Sequence, residues 1–515
     1  MKQGETVEAA AAIELSAAPL TLAELDACWN RPLQVRLSAG LREQIAQSRR
    51  LLERMANGAA AVYGVNTGFG SLCRQRIAPA DLATLQENLI RSHAVGVGAP
   101  LEPALVRWMM LFKIKSLAAG YSGVQPAVVE ALCAMLSAEL LPEVPSRGSL
   151  GASGDLAPLA HLVLPMIGEG RARFGGVLRD GAAALVAAGL TRVQLQAKDG
   201  LALVNGTQFM SAHAAAVCIR GARLARLADV AATLSLEALR GSLRPFDGRL
   251  IALRPHRGAI ETAANVNLLM RESEILPSHA DCGKVQDPYS LRCVPQVHGA
   301  CRDALRRLAE ATECEINAVT DNPILIDGEA ISGGNFHGEP LALALDYSAM
   351  ALTEWANISE RRTFLLLSGS DGLPPFLTAA GGLNSGLMIP QYTAAALVNE
   401  CKVLSHPAST DSIPTSMGQE DHVSMGATSA LKCYEIVERV ESVLAIELLT
   451  AAQALDFRHP LKAGLGPRAA HAAIRQHVAH AERDRAYGAD VQALIELVRG
   501  GAILRAVEAA VGRLA

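Results

Sequence analysis

Apolar residues recur every three or four positions along most of the chain, and this spacing predicts helices rather than strands. The same periodicity predicts helices over about 41–55, from 82 to the glycines at 96 and 98, over about 103–119, and from 208 to about 240. The longest apolar stripe lies on one face of a C-terminal helix and consists of Val437, Val440, Leu444, Leu448, Ala451 and Leu455. Residues 341–367 are mainly apolar but carry several charges, so they predict a buried core helix and not a membrane span.

Glycine-rich polar segments interrupt these helices. Residues 62–70 contain glycines at 64, 68 and 70 around Tyr63, which predicts a mobile functional loop. A phosphate cradle is excluded there because no Gly-Lys-Ser/Thr follows. Residues 200–208 predict a second loop that leads into a helix, and residues 174–190 predict a small irregular or β-containing excursion. Residues 1 to about 20 are expected to form a loose leader.

The fold class that follows is mainly α, with a large helical bundle body and a smaller mixed N-terminal part that carries the mobile tyrosine loop. We place the boundary near residue 115. Residues 1–115 are then an N-terminal domain with the Tyr63 lid loop, and residues 116–515 are a helical domain. The helical domain contains the segment Ala152-Ser153-Gly154, to which the chemistry is assigned below.

Composition narrows the range of partners. The chain has a formal net charge of −4, so it has no positive field that would attract nucleic acid. Half of its residues are hydrophobic, as expected for a chain with a large core. Its ten cysteines are scattered without a Cys-x-x-Cys pair, and Glu5 and Glu8 interrupt the apolar N-terminal run, so we expect a cytoplasmic protein with reduced thiols. The thirteen histidines form no group with metal-ligand spacing in the sequence, so no metal is expected.

The chemistry is assigned to residues 146–161, a glycine-rich turn that runs into an apolar helix. Asp155 is a suitable N-cap and Pro158 lies in the first turn. In a tight bend the Gly154 nitrogen can attack the Ala152 carbonyl, and loss of two waters, one from the Ser153 hydroxyl, leaves an electrophilic methylidene-imidazolone. The structural alternative is a tight loop in which Ser153 faces water. A Gly-x-Ser-x-Gly hydrolase elbow is absent.

Further polar clusters lie in otherwise apolar sequence. Tyr289 and Arg292 are three positions apart, so a helix places them on one face, where the guanidinium can bind a carboxylate. Arg292 could instead satisfy buried carbonyls or form a surface ion pair. Other clusters are Asn205-Gly206-Thr207, residues 317–323 and 333–340, and Gln419-Glu420-Asp421-His422. For the last of these the alternative is a helix N-cap.

Together these motifs resemble those of the aromatic amino acid ammonia-lyase and aminomutase family. They occur in the family's order and spacing, and the resemblance covers nearly the whole chain from about residue 20. The resemblance implies a predominantly helical homotetramer whose sites each draw residues from three subunits. It also implies a methylidene-imidazolone formed from Ala152, Ser153 and Gly154, with no external cofactor. Nothing in the motifs excludes an aminomutase, and an inactive helical scaffold is disfavoured because the family's catalytic residue types are all present.

Carried over position by position, the resemblance gives each site residue an expected role. Tyr63 is the base on a flexible lid, Asn205 binds near the prosthetic group, and Tyr289 and Arg292 hold the substrate. Gln286, Phe336 and Glu420 line the pocket. A phenol has an ordinary pKa of about 10, so nearby positive or hydrogen-bonding groups must shift Tyr63 toward phenolate.

The substrate is expected to be a small molecule, an amino acid, and the sequence favours histidine. The resemblance places Ser92-His93 against the substrate ring, and this pair is typical of histidine ammonia-lyases, although some tyrosine lyases share it. Glu420 discriminates better, because a carboxylate can hydrogen-bond an imidazole but is left without a partner beside a phenyl ring. Residues 144–148 and 374–376 resemble tyrosine lyases as much, so tyrosine deamination to 4-coumarate stays an alternative.

Overall fold

The structure is a computed structural model that describes residues 10–58 and 60–515. Helices make up 58% of the chain, which confirms the mainly α fold class. The α-helices of the described part are Leu22–Asp26 (α1), Ala39–Ala56 (α2), Leu82–His93 (α3), Pro103–Ala118 (α4), Pro126–Ser137 (α5), Leu156–Val163 (α6), Gly181–Ala187 (α7), Asp199–Val204 (α8), Gln208–Ala238 (α9), Gly248–Ala252 (α10), Arg257–Leu269 (α11), Tyr289–Arg292 (α12), Val294–Ile316 (α13), Glu339–Leu367 (α14), Met388–Leu404 (α15), Gly426–Asp456 (α16), Leu465–Arg475 (α17), Gly488–Arg499 (α18) and Ala502–Val511 (α19).

The strands are short and form small sheets. They are Ala11–Leu15 (β1), Leu33–Leu37 (β2), Val97–Pro100 (β3), Leu141–Pro142 (β4), Pro145–Arg147 (β5), Arg171–Phe174 (β6), Val177–Asp180 (β7), Ile324–Ile326 (β8) and Glu329–Ile331 (β9). β1 pairs in parallel with β2, so the expected loose leader is wrong for residues 11–15, while residues 1–9 lie outside the described part. The β6–β7 hairpin, which turns at Phe174–Val177, confirms the first part of the β-containing excursion predicted over 174–190, whereas residues 181–187 form the helix α7.

The chain divides into two compact units. Unit 1 comprises Met1–Ala216, Leu308–Leu345 and Pro407–Leu431, and unit 2 comprises Val217–Arg307, Asp346–His406 and Lys432–Ala515. The domain boundary near residue 115 stays a prediction, and that residue lies inside α4 of unit 1.

Two elements of unit 1 position the reactive segment. α4 begins with Pro103 in its first turn and is buried on nearly every side, because its sequence is apolar apart from a few cations. α8 ends at Val204 and α9 begins at Gln208, so Asn205-Gly206-Thr207 is a short break between helices. The loop predicted over 200–208 is therefore wrong for residues 200–204, because the apolar run Leu201–Val204 packs as a buried helical turn.

Buried ion pairs link the long helices of unit 2. Arg362 of α14 binds Glu447 of α16 at 2.5 Å, and both side chains are fully buried. Asp229 of α9 binds Arg302 of α13 at 2.6 Å and His298 of the same helix at 2.7 Å. These pairs hold the faces of long neighbouring helices together, which agrees with the predicted helical bundle.

The described part contains no helix that is both long enough and apolar enough to cross a membrane. α14 confirms the buried core helix predicted over 341–367, since most of its residues are buried, including the charged residues Asp346, Glu360 and Arg362. The ten cysteines all lie in the described part of the chain and form no disulfide bonds there.

Candidate active site

The Ala152-Ser153-Gly154 segment lies in a sharp backbone bend. Gly151 and Gly154 adopt φ angles of 77° and 76°, a region that favours glycine. β-bridges join Gly154 to both Gly151 and Ala152, so the backbone folds back on itself within four residues. A Cβ on Gly154 would lie 2.2 Å from the carbonyl oxygen of Gly206, so only glycine fits there. The bend therefore has the compact backbone that cyclisation between residues 152 and 154 requires.

Ser153 is held by the break between α8 and α9. Its Oγ donates a hydrogen bond to Asn205 Oδ1 at 2.7 Å. The Asn205 amide in turn donates to Asp321 Oδ1 at 3.1 Å and to the Asn322 carbonyl at 3.0 Å. The second oxygen of Asp321 binds the buried Lys198 ammonium at 2.6 Å. This chain of contacts fixes the orientation of Asn205 next to the reactive serine.

Asp155 lies directly after the bend and is fully buried. It occupies the N-cap position of α6, but its side chain makes no capping bond to that helix, so the sequence-based capping role is wrong. Its carboxyl instead accepts from the Met210 N–H at 3.0 Å and from Ser149 Oγ at 3.1 Å. Burial raises the pKa of Asp155 to about 7, because these hydrogen bonds and the charge of Lys113 offset only part of the desolvation.

Lys113 reaches the same region from α4. Its ammonium donates to the carbonyl oxygens of Ala202 and Asn205, and its side chain is completely buried. Burial lowers the pKa of Lys113 to about 7, although the charge of Asp321 opposes the shift. Sequence reasoning missed both Lys113 and Lys198. For Lys113 the available signal was a lysine inside the mainly apolar helix α4, whereas Lys198 precedes α8 and gave no such signal.

A cavity of about 600 Å³ opens over the bend. It brings together Tyr63, Ala152, Ser153, Phe336 and Glu420, all of which were predicted site residues, and all its lining residues belong to unit 1. The cavity therefore collects a hydroxyl, a phenol, a carboxylate and an aromatic ring from distant parts of the sequence.

Tyr63 lies on the loop predicted over 62–70, whose mobility stays a prediction. The Gly70 N–H donates to its hydroxyl oxygen at 3.3 Å. Burial nevertheless raises the pKa of Tyr63, and the nearby Cys73 and Glu420 add to the rise. These neighbours therefore favour the neutral phenol and do not supply the expected shift toward phenolate.

Glu420 is part of a short turn and does not cap a helix. Its Oε2 accepts from Thr415 Oγ1 at 2.7 Å, and α16 begins only at Gly426. The other carboxylate oxygen is available to a ligand in the cavity. His93 ends α3, where its Nδ1 lies 3.1 Å from Ser92 Oγ. Burial lowers the pKa of His93, while the charge of Glu420 opposes the shift. His93 does not line the cavity that contains Glu420.

The remaining predicted residues belong to unit 2. Tyr289 and Arg292 share a face of α12, as expected, with the Arg292 guanidinium 4.4 Å above the Tyr289 ring. Arg292 Nε donates to the Asp287 carbonyl at 3.0 Å, and Tyr289 is 69% exposed. Neither these residues nor Gln286 line the cavity of unit 1.

The fold also gathers a group that the sequence did not reveal. One side-chain ligand atom each of His337, Glu339 and His422 lies within 4.8 Å of the other two. His422 is more than eighty residues from the others in the chain, so no spacing rule applied to the sequence could have found it.

Comparisons with known proteins cover nearly the whole chain. The model of the aromatic amino acid lyase family matches residues 20–476. The histidine ammonia-lyase of Sorangium cellulosum is 53% identical over 508 residues, which are 96% of this chain and 99% of that protein. The crystal structure of histidine ammonia-lyase from Trypanosoma cruzi is similar with a TM-score of 0.90 and 39% identity, covering 97% of this chain and 96% of that one. The crystal structure of tyrosine aminomutase from Streptomyces globisporus is similar with a TM-score of 0.93 and 34% identity. The match covers 98% of this chain and 100% of that one.

Proposed function

Because the chain belongs to the aromatic amino acid lyase family, it is a carbon–nitrogen lyase, and we propose that it removes ammonia from L-histidine to give urocanate. One observation carries the choice of substrate. Proteins named histidine ammonia-lyase are 53% and 50% identical to this chain over almost their full length. The Glu420 carboxylate in the cavity supports the same choice, since it provides an acceptor for an imidazole N–H.

The electrophile in this proposal is a methylidene-imidazolone that Ala152, Ser153 and Gly154 form by themselves, without an external cofactor. The left-handed backbone at Gly154 and its close approach to Gly206 fit that ring. When formed, the group supplies an electrophilic methylene to the substrate's amine or ring. The hydrogen bonds of the Asn205 amide to Asp321 and to the Asn322 carbonyl do not involve the lost hydroxyl, so they keep Asn205 beside the group.

Tyr63 is the proposed base that removes the β-proton of the substrate. It lines the same cavity as Ser153, so the base and the electrophile face one substrate-sized space. Burial within one chain raises the pKa of Tyr63, so a positive group that favours phenolate must come with substrate binding or with assembly.

A homotetramer accounts for the residues that lie outside the cavity. We assign Gln286, Tyr289 and Arg292 to the active site of a neighbouring copy, where Arg292 binds the substrate carboxylate and Tyr289 contacts the substrate. The exposure of Tyr289 supports this assignment, because a phenol that is 69% exposed is accessible to another subunit. The ten cysteines form no disulfide bonds, which supports a cytoplasmic location, where thiols stay reduced.

The substrate assignment is tested by supplying L-histidine and L-tyrosine separately and recording urocanate and 4-coumarate by ultraviolet absorbance. Urocanate formation is expected. Coumarate without urocanate would overturn the choice of histidine. Glu420→Gln should lower kcat/KM for histidine about 5–150-fold, because it weakens a buried charged hydrogen bond to the ring. The same substitution should leave any slow reaction with tyrosine almost unchanged.

The second candidate is a 2,3-aminomutase, and the high TM-score to a tyrosine aminomutase favours testing it. An aminomutase returns ammonia to the β-carbon, whereas a lyase releases it. Chromatography of the reaction mixture for a β-amino acid separates the two outcomes.

A further inference from the structure

The wall of the cavity holds donors that the proposed reaction does not use. His337 and His422 both line it, and Glu339, the first residue of α14, has a carboxylate oxygen within 4.8 Å of a ring nitrogen of each. We propose that His337, Glu339 and His422 form a binding site for a divalent transition-metal cation of the Zn²⁺ type. The site does not depend on the proposed reaction, because no lyase step was assigned to these side chains.

The donor set matches that class of cation. Two imidazole nitrogens and one carboxylate oxygen suit Zn²⁺ and neighbouring first-row metals, whereas Mg²⁺ and Ca²⁺ prefer oxygen ligands. The ligand atoms lie within 4.8 Å of one another, so small side-chain rotations bring all three to one ion. Three protein ligands leave at least one coordination position open toward the cavity, where a water or a nitrogen donor can bind.

The Glu339 carboxylate provides a second observation, independent of the distances between the ligand atoms, that points to a bound cation. Its Oε2 is buried, and in the described part of the chain no hydrogen-bond donor reaches it. A buried carboxylate oxygen without a partner is unfavourable unless a cation or a donor occupies the adjacent space. A metal ion held by the two histidines provides that partner.

The histidines are already arranged for binding. Their rings are stacked at 5.8 Å with an interplanar angle of 4°. His337 Nδ1 accepts from the Glu339 N–H, and His337 Nε2 contacts the His422 carbonyl, each at 3.4 Å. Contacts of that length are weak, so a metal bond readily replaces one of them.

The backbone between the ligands is held in place. A Cβ on Gly338 would lie 2.4 Å from Met210 Cε, so this glycine lets the segment pack closely against α9. The Gly334 carbonyl accepts from the His337 N–H at 2.9 Å, which closes a turn just before the helix. A bound cation would therefore join a fixed segment to the turn that carries Glu420.

A second histidine–carboxylate cluster shows what a saturated site looks like. Asp456 in unit 2 contacts His471, Arg475 and His480 at 2.6–2.7 Å, so both of its oxygens already have partners. Its guanidinium partner would also repel a cation. That cluster carries no metal proposal, whereas the unpartnered oxygen of Glu339 does.

The test uses the full-length protein after chelation and dialysis. Calorimetric titration with Zn²⁺ should show one site per chain, and Co²⁺ should give visible d–d absorption that Zn²⁺ abolishes. His337→Gln, Glu339→Gln and His422→Gln should each weaken Zn²⁺ binding more than tenfold. His256→Gln is the matched control, because His256 is exposed and distant in sequence, and it should bind as the parent does.

Absence of Zn²⁺ binding by the folded parent protein overturns the site, and so does unchanged affinity in all three variants. Circular dichroism identifies any variant that fails to fold, and the near-isosteric Glu339→Gln then decides. Turnover of amino acids is not a readout, so failure of the lyase proposal and failure of the metal site are recorded separately.

Discussion

Both units bury charged side chains, but two of those near the reactive bend of unit 1 differ in their partners from the buried ion pairs of unit 2. In unit 2, Arg362 and Glu447 neutralise each other at 2.5 Å, and Asp229 lies between Arg302 and His298. Around the reactive bend of unit 1, Lys113 donates to backbone carbonyls and Asp155 accepts from an amide and a hydroxyl. Arg362, Glu447 and Asp229 are thus paired with opposite charges, whereas Lys113 and Asp155 have neutral hydrogen-bond partners, although the buried pair Lys198–Asp321 belongs to the same unit as they do.

The difference separates a structural role from a chemical one. Burial alone would raise the pKa of Asp229, but Arg302 and His298 outweigh it and hold that pKa below its usual range. Without such close counter-charges, the pKa values of Asp155 and Lys113 are both about 7. Groups that titrate near neutrality cluster at functional sites, whereas fully paired groups hold helices together.

The largest expected effect comes from removing the reactive group itself. Ser153→Ala should lower turnover more than about a thousandfold and abolish the ultraviolet absorbance of the prosthetic group, because no hydroxyl remains to be lost as water. Stability should change by only about 1 kcal/mol, the value of one hydrogen bond. Ser332→Ala, in the same cavity, is the control and should retain both signals. Retained activity in Ser153→Ala would contradict the assignment of the bend.

Tyr63→Phe should lower kcat by about 10²–10⁴-fold, since it removes the general base. The prosthetic-group absorbance should stay intact, which distinguishes this change from the preceding one. Tyr487→Phe, on the half-buried Tyr487 of unit 2, provides the matched substitution and should be silent. Equal activity of the two variants would exclude Tyr63 as the base.

Arg362→Met should destabilise the protein by about 3–5 kcal/mol, because it leaves Glu447 buried and charged without its partner. Thermal or urea unfolding measures this loss. Arg257→Met removes a pair in which the arginine is 70% exposed, and it should change stability by no more than about 1 kcal/mol. A similar small loss in both variants would show that the buried pair is not structural.

Asp155→Asn should alter how stability depends on pH. The pKa of Asp155 rises from 3.8 to about 7 on folding, so its stabilising contribution is full below pH 3.8 and is lost as pH rises through about 7. Between pH 4 and 7, the parent should therefore lose stability relative to the variant, by at most about 1.4 kcal/mol per pH unit. Urea unfolding at several pH values measures the difference.

Asp247→Asn is the control for the pH range from 4 to 7. Its hydrogen bonds to Arg249 lower the pKa of Asp247 to about 2, so its contribution is present above pH 3.8 and is lost only in stronger acid. The difference between this variant and the parent should stay flat from pH 4 to 7. A flat difference for Asp155→Asn as well would contradict the raised pKa.

Helical periodicity predicted most of the long elements because their burial is continuous along one face. α16 and α14 cover the segments expected from their apolar stripes. The strand Ala11–Leu15 was missed because its pairing partner, Leu33–Leu37, lies beyond an intervening helix. The sequence of one strand does not reveal which distant segment will pair with it.

The motifs located most of the cavity residues, because reactive side chains lie in recognisable loops. Tyr63, Ser153, Phe336 and Glu420 share one cavity as expected. The buried Lys113, whose pKa is about 7, was not predicted, because a lysine in an apolar helix can reach either the surface or a buried carbonyl. Only the packed structure distinguishes those cases.

The contact between Gly154 and Gly206 sets a limit for anyone redesigning the cavity. Ala152 and Ser153 line the cavity, and the next residue, Gly154, packs so closely against the Gly206 backbone that even one methyl group on Gly154 would lie 2.2 Å from an oxygen. Directed evolution of substrate range must therefore use the walls, where Phe336 and Glu420 offer replaceable side chains. A library that varies those positions and keeps both glycines is the more economical search.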